Sequence, residues 1–273
     1  MKTESIDHGR VLFAAEFASL LRANELNSFE AIMSLAGGRV ARNFPGRRTV
    51  RLELKTDAGA VQAVYLKRYE ADYLSGFRKL LRWLRWPGAG DEAMQEWQAL
   101  HAVQALEIPA AVPIAVGQER VGGLVRRSFL MTAEIAGAVE GHTWMAALPT
   151  EERRQFLRRV AMLARRFHGA GLAHKDFYIG HVLVAPVAGA PELFLIDLQR
   201  VMKPSWFRSR WLLKDLGAMA YSTLNAKATP GMLMRAYLDY SNAETLGPRE
   251  KSIARGALRR VAWLRTRRPK HDG

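Results

Sequence analysis

Between residues 50 and 54 apolar and charged side chains alternate: Val50, Leu52 and Leu54 share one parity, Arg51 and Glu53 the other. A period of two marks a strand with one buried face. The preceding segment 39–44 reads as its partner, with Pro45-Gly46 as the hairpin turn, and Asp57-Ala58-Gly59 turns the chain into a third strand ending Val64-Tyr65-Leu66-Lys67. Residues 91–106 then change to helical spacing, with Glu92, Glu96, Trp97, Leu100 and Val103, before Pro109 and Pro113 interrupt the chain. Strands are expected again at 114–116 and 128–132, leading into Ala133-Glu134-Ile135-Ala136-Gly137, whose small residues suit a hinge. Residues 11–36 carry short helical patterns that match no firm element.

Beyond the hinge the pattern is mainly helical. Phe156, Leu157, Val160, Leu163, Ala164 and Phe167 form the apolar stripe of a helix over 151–168. Thr150 is the expected N-cap, Glu151 and Glu152 suit the positive helix end, and Gly169 and Gly171 are placed to end it. A hairpin follows, 181–185 with 192–197, and more helices fill 206–264. The expected class is α+β: residues 1–135 with an antiparallel sheet plus a helix, residues 136–273 mainly helical.

The hairpin brings in candidate chemistry. His174-Lys175-Asp176 is an H-x-D loop between the long helix and the hairpin, and Asp197 ends the apolar run Leu193-Phe194-Leu195-Ile196, 21 residues later. Phosphoryl transfer uses two carboxylates in this way, one to orient a hydroxyl nucleophile and accept its proton, another to hold the metal bridging the ATP phosphates. Asp176 is the candidate base and Asp197 the candidate metal ligand. Alone, either would more often be a turn or strand-end aspartate; the conjunction with Lys67 reverses that balance. Lys67 ends a strand close to the V-A-I-K pattern, and Glu96 on the following helix is its expected partner at the α/β-phosphates. Where a protein kinase has asparagine five residues after the catalytic aspartate, this chain has His181, able to ligate a metal or to hydrogen-bond a phosphate. No G-x-G-x-x-G occurs; Gly46 and Arg47 at the hairpin tip are the candidate phosphate cradle. A zinc set of His168, His174, Asp176 and His181 has no recognised ligand spacing.

Composition narrows the setting. The 273 residues are 25% charged and 49% apolar, ordinary globular values, and the absence of cysteine excludes disulfides and thiolate zinc. The N-terminus carries acids and no apolar h-region, and no run approaches a membrane span. The net charge of +15 is the outlier and points to an anionic partner.

Taken together, the segment from Gly46 to Glu53, Glu96-Trp97, the stretch from His174 to His181, Ile196-Asp197-Leu198-Gln199-Arg200 and Lys214-Asp215-Leu216 resemble the lipopolysaccharide kinases of the Kdo/WaaP family, most closely those acting on core heptose(I). The likeness runs over about residues 35–225. It implies a protein-kinase-like two-lobed fold, ATP and Mg²⁺ as cofactors, Asp176 as base, Asp197 as metal ligand, the pair Lys67–Glu96 at the phosphates, and Asp215 as a buried brace of the catalytic loop. It also accounts for His181. The implied reaction is phosphorylation of a heptose hydroxyl of the lipopolysaccharide inner core, with a Kdo kinase as the alternative. A protein kinase fits less well: Asp197 lacks the following glycine of D-F-G, and only 18 residues separate it from Asp215, with no A-P-E after.

Two basic tracts bear on location. Phe77, Leu80, Leu81 and Leu84 alternate by helical spacing with Arg78, Lys79, Arg82 and Arg85, flanked by Trp83 and Trp86, as in a helix lying on an anionic membrane. Residues 251–270 hold eight Lys/Arg and no acid. Either tract is equally readable as a solvated face. The expected setting is peripheral, on the cytoplasmic side of the inner membrane, with the core glycolipid as substrate, no nucleic acid and no obligate protein partner.

Overall fold

The computed structural model describes residues 2–70, 92–187, 190–205 and 208–266. Two compact units result, one of Met1–Ala102 with Ala111–Ile135, the other of Val103–Ala110 with Ala136–Gly273. The basic stretch 77–86 and residues 267–270 of the C-terminal tract lie outside the described residues.

In the first unit, strands β1 (Thr3–Ile6), β2 (Val11–Ala14), β3 (Arg39–Phe44), β4 (Arg47–Lys55), β5 (Val61–Glu70), β6 (Pro113–Val121) and β7 (Leu124–Ala133) make one sheet in the order β1-β2-β6-β7-β5-β4-β3. Every neighbouring pair is antiparallel. Strands β3 to β5 are the three expected from the alternation at 50–54 and the turns on either side of it, and Gly46 adopts φ +75° at the tip of the β3–β4 hairpin, a conformation that only glycine takes without strain. The strands expected at 114–116 and 128–132 are the centres of a longer hairpin closed by Gly122-Gly123, both at positive φ, as a two-residue type I′ turn requires.

The unassigned N-terminal region becomes β1, β2 and two short helices, α1 (Ala18–Ala23) and α2 (Phe29–Met33). Each has four to six residues, too few for a period to declare itself. Ser28 caps α2, its Oγ accepting from the Ala31 amide at 3.2 Å. Leu20, Leu21, Leu26, Phe29 and Ile32 pack on one sheet face with Val50, Leu52, Val64, Leu66, Phe129 and Met131 in a single buried cluster. Side chains alternate along a strand, so burial of Val64 and Leu66 in that cluster turns Tyr65 and Lys67 to the opposite face. Helix α3 (Glu92–Ala105) buries Ala93, Trp97, Leu100 and Val103.

The second unit contains β8 (Val139–Glu140), α4 (Gly141–Ala147), α5 (Thr150–Gly169), β9 (Val182–Val187), β10 (Ala190–Leu195), α6 (Arg208–Asn225), α7 (Pro230–Ser241) and α8 (Pro248–Thr266). Its sheet runs β10-β9-β8. Residues 103–110 group here; the Leu195 amide donates to the Pro109 carbonyl at 2.9 Å. The stripe expected on α5 is buried, but Thr150 is not its cap. The Pro149 carbonyl already accepts the first helical bond, from the Arg153 amide at 2.9 Å, so Thr150 is the first helical residue and its hydroxyl makes no capping bond. Helices α5 to α8 leave an apolar cavity of about 410 Å³ bordered by Val160, Phe177, Met219, Leu233, Tyr237 and Val261. No helix among the described residues is long and apolar enough to cross a membrane.

Candidate active site

The loop carrying Asp176 is anchored before any ligand is considered. Ala173 and Met202 exchange both backbone hydrogen bonds, at 2.8 and 3.0 Å. Asp215, on α6 and fully buried, accepts the His174 amide N–H at 2.7 Å and lies 3.3 Å from His168 Nε2. A carboxylate in that position can only accept, so His168 Nε2 carries a proton and its Nδ1 accepts from the Tyr240 hydroxyl at 3.0 Å. His174 is buried and stacks on Phe177, rings 5.4 Å apart, while its Nε2 donates to the Ile196 carbonyl at 3.3 Å. Burial pushes the His174 pKa down to about 4, with His181 as the next contribution, so the ring is neutral. His168 and His174 thus hold the loop together, which leaves no zinc set with Asp176 and His181.

The loop leaves this anchor through Lys175, at φ +69°, and presents Asp176. A short 3-10 turn, Ile179–His181, leads into β9, and its first amide donates to Ser222 Oγ at 2.9 Å. His181 Nδ1 lies 2.7 Å from the Asp176 carbonyl. A carbonyl only accepts, so Nδ1 is the donor in this bond. That Nε2 is 3.7 Å from Asp197 Oδ2. Asp197 lies two residues beyond β10 and adopts the left-handed conformation, φ 60° and ψ 49°, tolerated by aspartate and common where a side chain is aimed at a ligand.

Asp176 has two further neighbours that sequence reading assigned no role. Arg200 Nη1 donates to both carboxylate oxygens, at 2.9 and 2.7 Å, and Lys214 Nζ stands 3.8 Å from Oδ1. Both residues lie in segments that carry the family likeness, but a motif names residues without saying which one meets another. Burial pushes the Lys214 ammonium down from its ordinary range, with Asp176 opposing and Arg200 reinforcing. Burial likewise lowers Lys175, with Arg200 reinforcing.

In the first unit the structure brings Lys67 and Glu96 together. Lys67 Nζ donates to Glu96 Oε1 at 2.6 Å, with the glutamate side chain 2% exposed and the lysine 14%. On the same face Arg51 grips both oxygens of Glu134, at 2.7 and 2.8 Å, holding that carboxyl below the usual range. Gly46 is at the hairpin tip, its carbonyl accepting from the Glu70 amide at 2.9 Å, and the Arg47 guanidinium lies over the Tyr69 ring at 5.5 Å.

Among the described residues no group of three or more His, Cys, Asp or Glu is placed to hold a metal. The Asp197 carboxylate is the kind of oxygen donor Mg²⁺ takes, with substrate phosphates and water filling its other positions, whereas the His181 imidazole is a softer donor.

Residues 35–237 match the model of the lipopolysaccharide kinase (Kdo/WaaP) family. The lipopolysaccharide core heptose(I) kinase WaaP of Escherichia coli is 31% identical over 222 residues, 78% of this chain and 80% of the relative. Its namesake in Pseudomonas aeruginosa PAO1 is 28% identical over 250 residues, 88% of each chain. A solved structure described as WaaP in complex with acyl carrier protein superposes with a TM-score of 0.67 at 25% identity, covering 94% of this chain and 96% of that one. The fold is accordingly the protein-kinase-like, two-lobed α+β class. The chain belongs to the lipopolysaccharide kinase (Kdo/WaaP) family.

Proposed function

We propose that this kinase transfers the γ-phosphoryl group of ATP to a heptose hydroxyl of the lipopolysaccharide inner core, as a peripheral enzyme on the cytoplasmic face of the inner membrane. The observation that carries the reading is the position of His181 between two carboxylate residues, its Nδ1 on the Asp176 carbonyl at 2.7 Å and its Nε2 toward Asp197 at 3.7 Å. One side chain thereby sets the spacing of the base and the metal ligand. The relatives whose names specify heptose(I) supply the acceptor.

In this reading Asp176 orients the acceptor hydroxyl and takes its proton as the oxygen–phosphorus bond forms and the bond to ADP breaks. Asp197, with His181 beside it, would hold Mg²⁺, which would supply charge neutralisation at the ATP phosphates. Lys67, oriented by Glu96, binds the α/β-phosphates, and the turn at Gly46-Arg47 lies over them. Lys214 places a cation beside the base.

The test is transfer of labelled phosphate from ATP to purified core oligosaccharides that differ in heptose and Kdo content. Transfer that requires heptose, and falls by at least about 100-fold in Asp176→Asn, is expected for loss of a general base. Transfer to Kdo alone would move the chain to the Kdo kinases, and undiminished transfer by the variant would remove Asp176 from its role.

The complex of WaaP with acyl carrier protein bears on the expectation that no protein partner is obligatory. We extend that partner to this chain. Purification from cells with and without co-expressed acyl carrier protein tests it: co-elution at fixed stoichiometry supports the extension, and an active enzyme free of it counts against an obligate role.

A further inference from the structure

Arg200 covers the group that must receive the acceptor proton. The 3-10 turn Leu198–Arg200, immediately after Asp197, sends its side chain back over the loop, where Nη1 straddles both oxygens of Asp176 at 2.9 and 2.7 Å. An acceptor hydroxyl has to donate to one of those oxygens. An incoming hydroxyl therefore competes with Arg200 for the lone pairs of Asp176, and Arg200 is placed to yield. Its side chain is 50% exposed, and it holds the carboxylate through one nitrogen rather than the two-nitrogen fork that locks arginine to a carboxylate.

A guanidinium released from a carboxylate in a crowded cationic site needs another anion. Among the described residues the local groups do not provide one. Lys175, Lys214 and Arg260, which act on this site electrostatically, are all cations. Asp215 is buried and committed to His174 and His168, and Asp197 faces His181. The ATP phosphates also enter the site, but in the proposed reading Lys67 and the metal offset their charge, so the anion left for Arg200 is one carried by the acceptor. Building on the reading of the chain as a lipopolysaccharide core kinase, we infer that Arg200 is an acceptor-specificity residue. It caps Asp176 until an acidic acceptor binds, then pairs with an anionic group, carboxylate or phosphate, on a sugar neighbouring the one that is phosphorylated. Substrate choice and exposure of the base are thereby coupled in one side chain.

The experiment compares wild type, Arg200→Gln and Arg200→Lys on three acceptors: native core oligosaccharide, the same material with its carboxyl groups reduced, and the same material dephosphorylated. Binding is measured by calorimetry with a non-hydrolysable ATP analogue, alongside kcat/KM for transfer; thermal melts check that the variants are folded. Wild type is expected to bind the native acceptor at least about tenfold more tightly than one of the neutralised forms, a factor ordinary for a charge-assisted pair. Which form loses affinity identifies the anion. Arg200→Gln should bind all three within about twofold, and Arg200→Lys should keep part of the preference. A wild type indifferent to acceptor charge, an Arg200→Gln variant that keeps the wild-type ratio, or one that weakens all three acceptors equally would each overturn the inference. Failure of the underlying reading shows separately, as wild type that binds by charge but transfers no phosphate to the native core.

Discussion

His181 Nδ1 donates a hydrogen bond to the backbone carbonyl of Asp176 over 2.7 Å, and that bond orients the ring so that Nε2 faces Asp197 Oδ2 at 3.7 Å. The position where protein kinases carry asparagine is thus filled by a ring whose second nitrogen faces the proposed metal ligand. His181→Ala should lower metal affinity by about 10–100-fold, the range for losing a supporting group. Titration of Mn²⁺ by its paramagnetic signal, with ADP present, measures this without turnover; unchanged affinity would leave His181 a packing residue.

The ion pair of Lys67 and Glu96 is short and buried, so its members cannot be removed singly without consequence. Glu96→Leu takes the carboxylate away from the half-buried Lys67 ammonium and should destabilise the protein by about 3 kcal/mol, whereas Lys67→Met with Glu96→Leu should recover most of that loss. Nucleotide affinity should not recover in the double variant. Urea denaturation paired with fluorescent-nucleotide binding separates the two; a double variant that binds ATP normally would exclude Lys67 from the phosphate site.

Asp215 holds two donors, the His174 amide and His168 Nε2. Asp215→Ala strands both inside the core at a cost of about 3 kcal/mol. Chemical denaturation gives the number, and a loss under about 1 kcal/mol would mean that water replaces the carboxylate.

His174 makes stability depend on pH in a defined direction. Burial lowers its folded pKa to about 4, below the unfolded value, so the unfolded chain binds the proton first. Its contribution is complete above about pH 6.5, declines as pH falls toward about 4, and levels off below that; the span corresponds to roughly 3 kcal/mol. Wild type and His174→Phe melted between pH 7.5 and 4.5 should differ in slope, the variant being flatter. Parallel curves would mean that His174 is protonated in the folded protein.

Much of the site was legible because its signals are local. Alternation identified β4, Pro45-Gly46 marked the turn before it, and Asp176 and Asp197 stand at either end of one hairpin whose two strands pair along their length. The pair Lys67–Glu96 followed from a strand-then-helix order that the family likeness made specific. The N-terminal strands and helices were not legible, because four to six residues hold barely one period and their burial depends on a sheet built from later sequence. Thr150 misled for a related reason: a good capping residue does not say which carbonyl takes the first helical bond.

Residue types and spacing along the chain were enough to settle the α+β class and to nominate the two carboxylates, since strand parity, turn geometry and the length of a hairpin act over a few residues. The company those carboxylates keep was settled by folding in three dimensions. Arg200, Lys214 and Asp215 reach the catalytic loop from 24 to 41 positions away in sequence. Their effect falls off with distance in space rather than along the chain, so nothing short of the packed second unit could reveal that the proposed base is covered by an arginine and its loop hung from a buried aspartate.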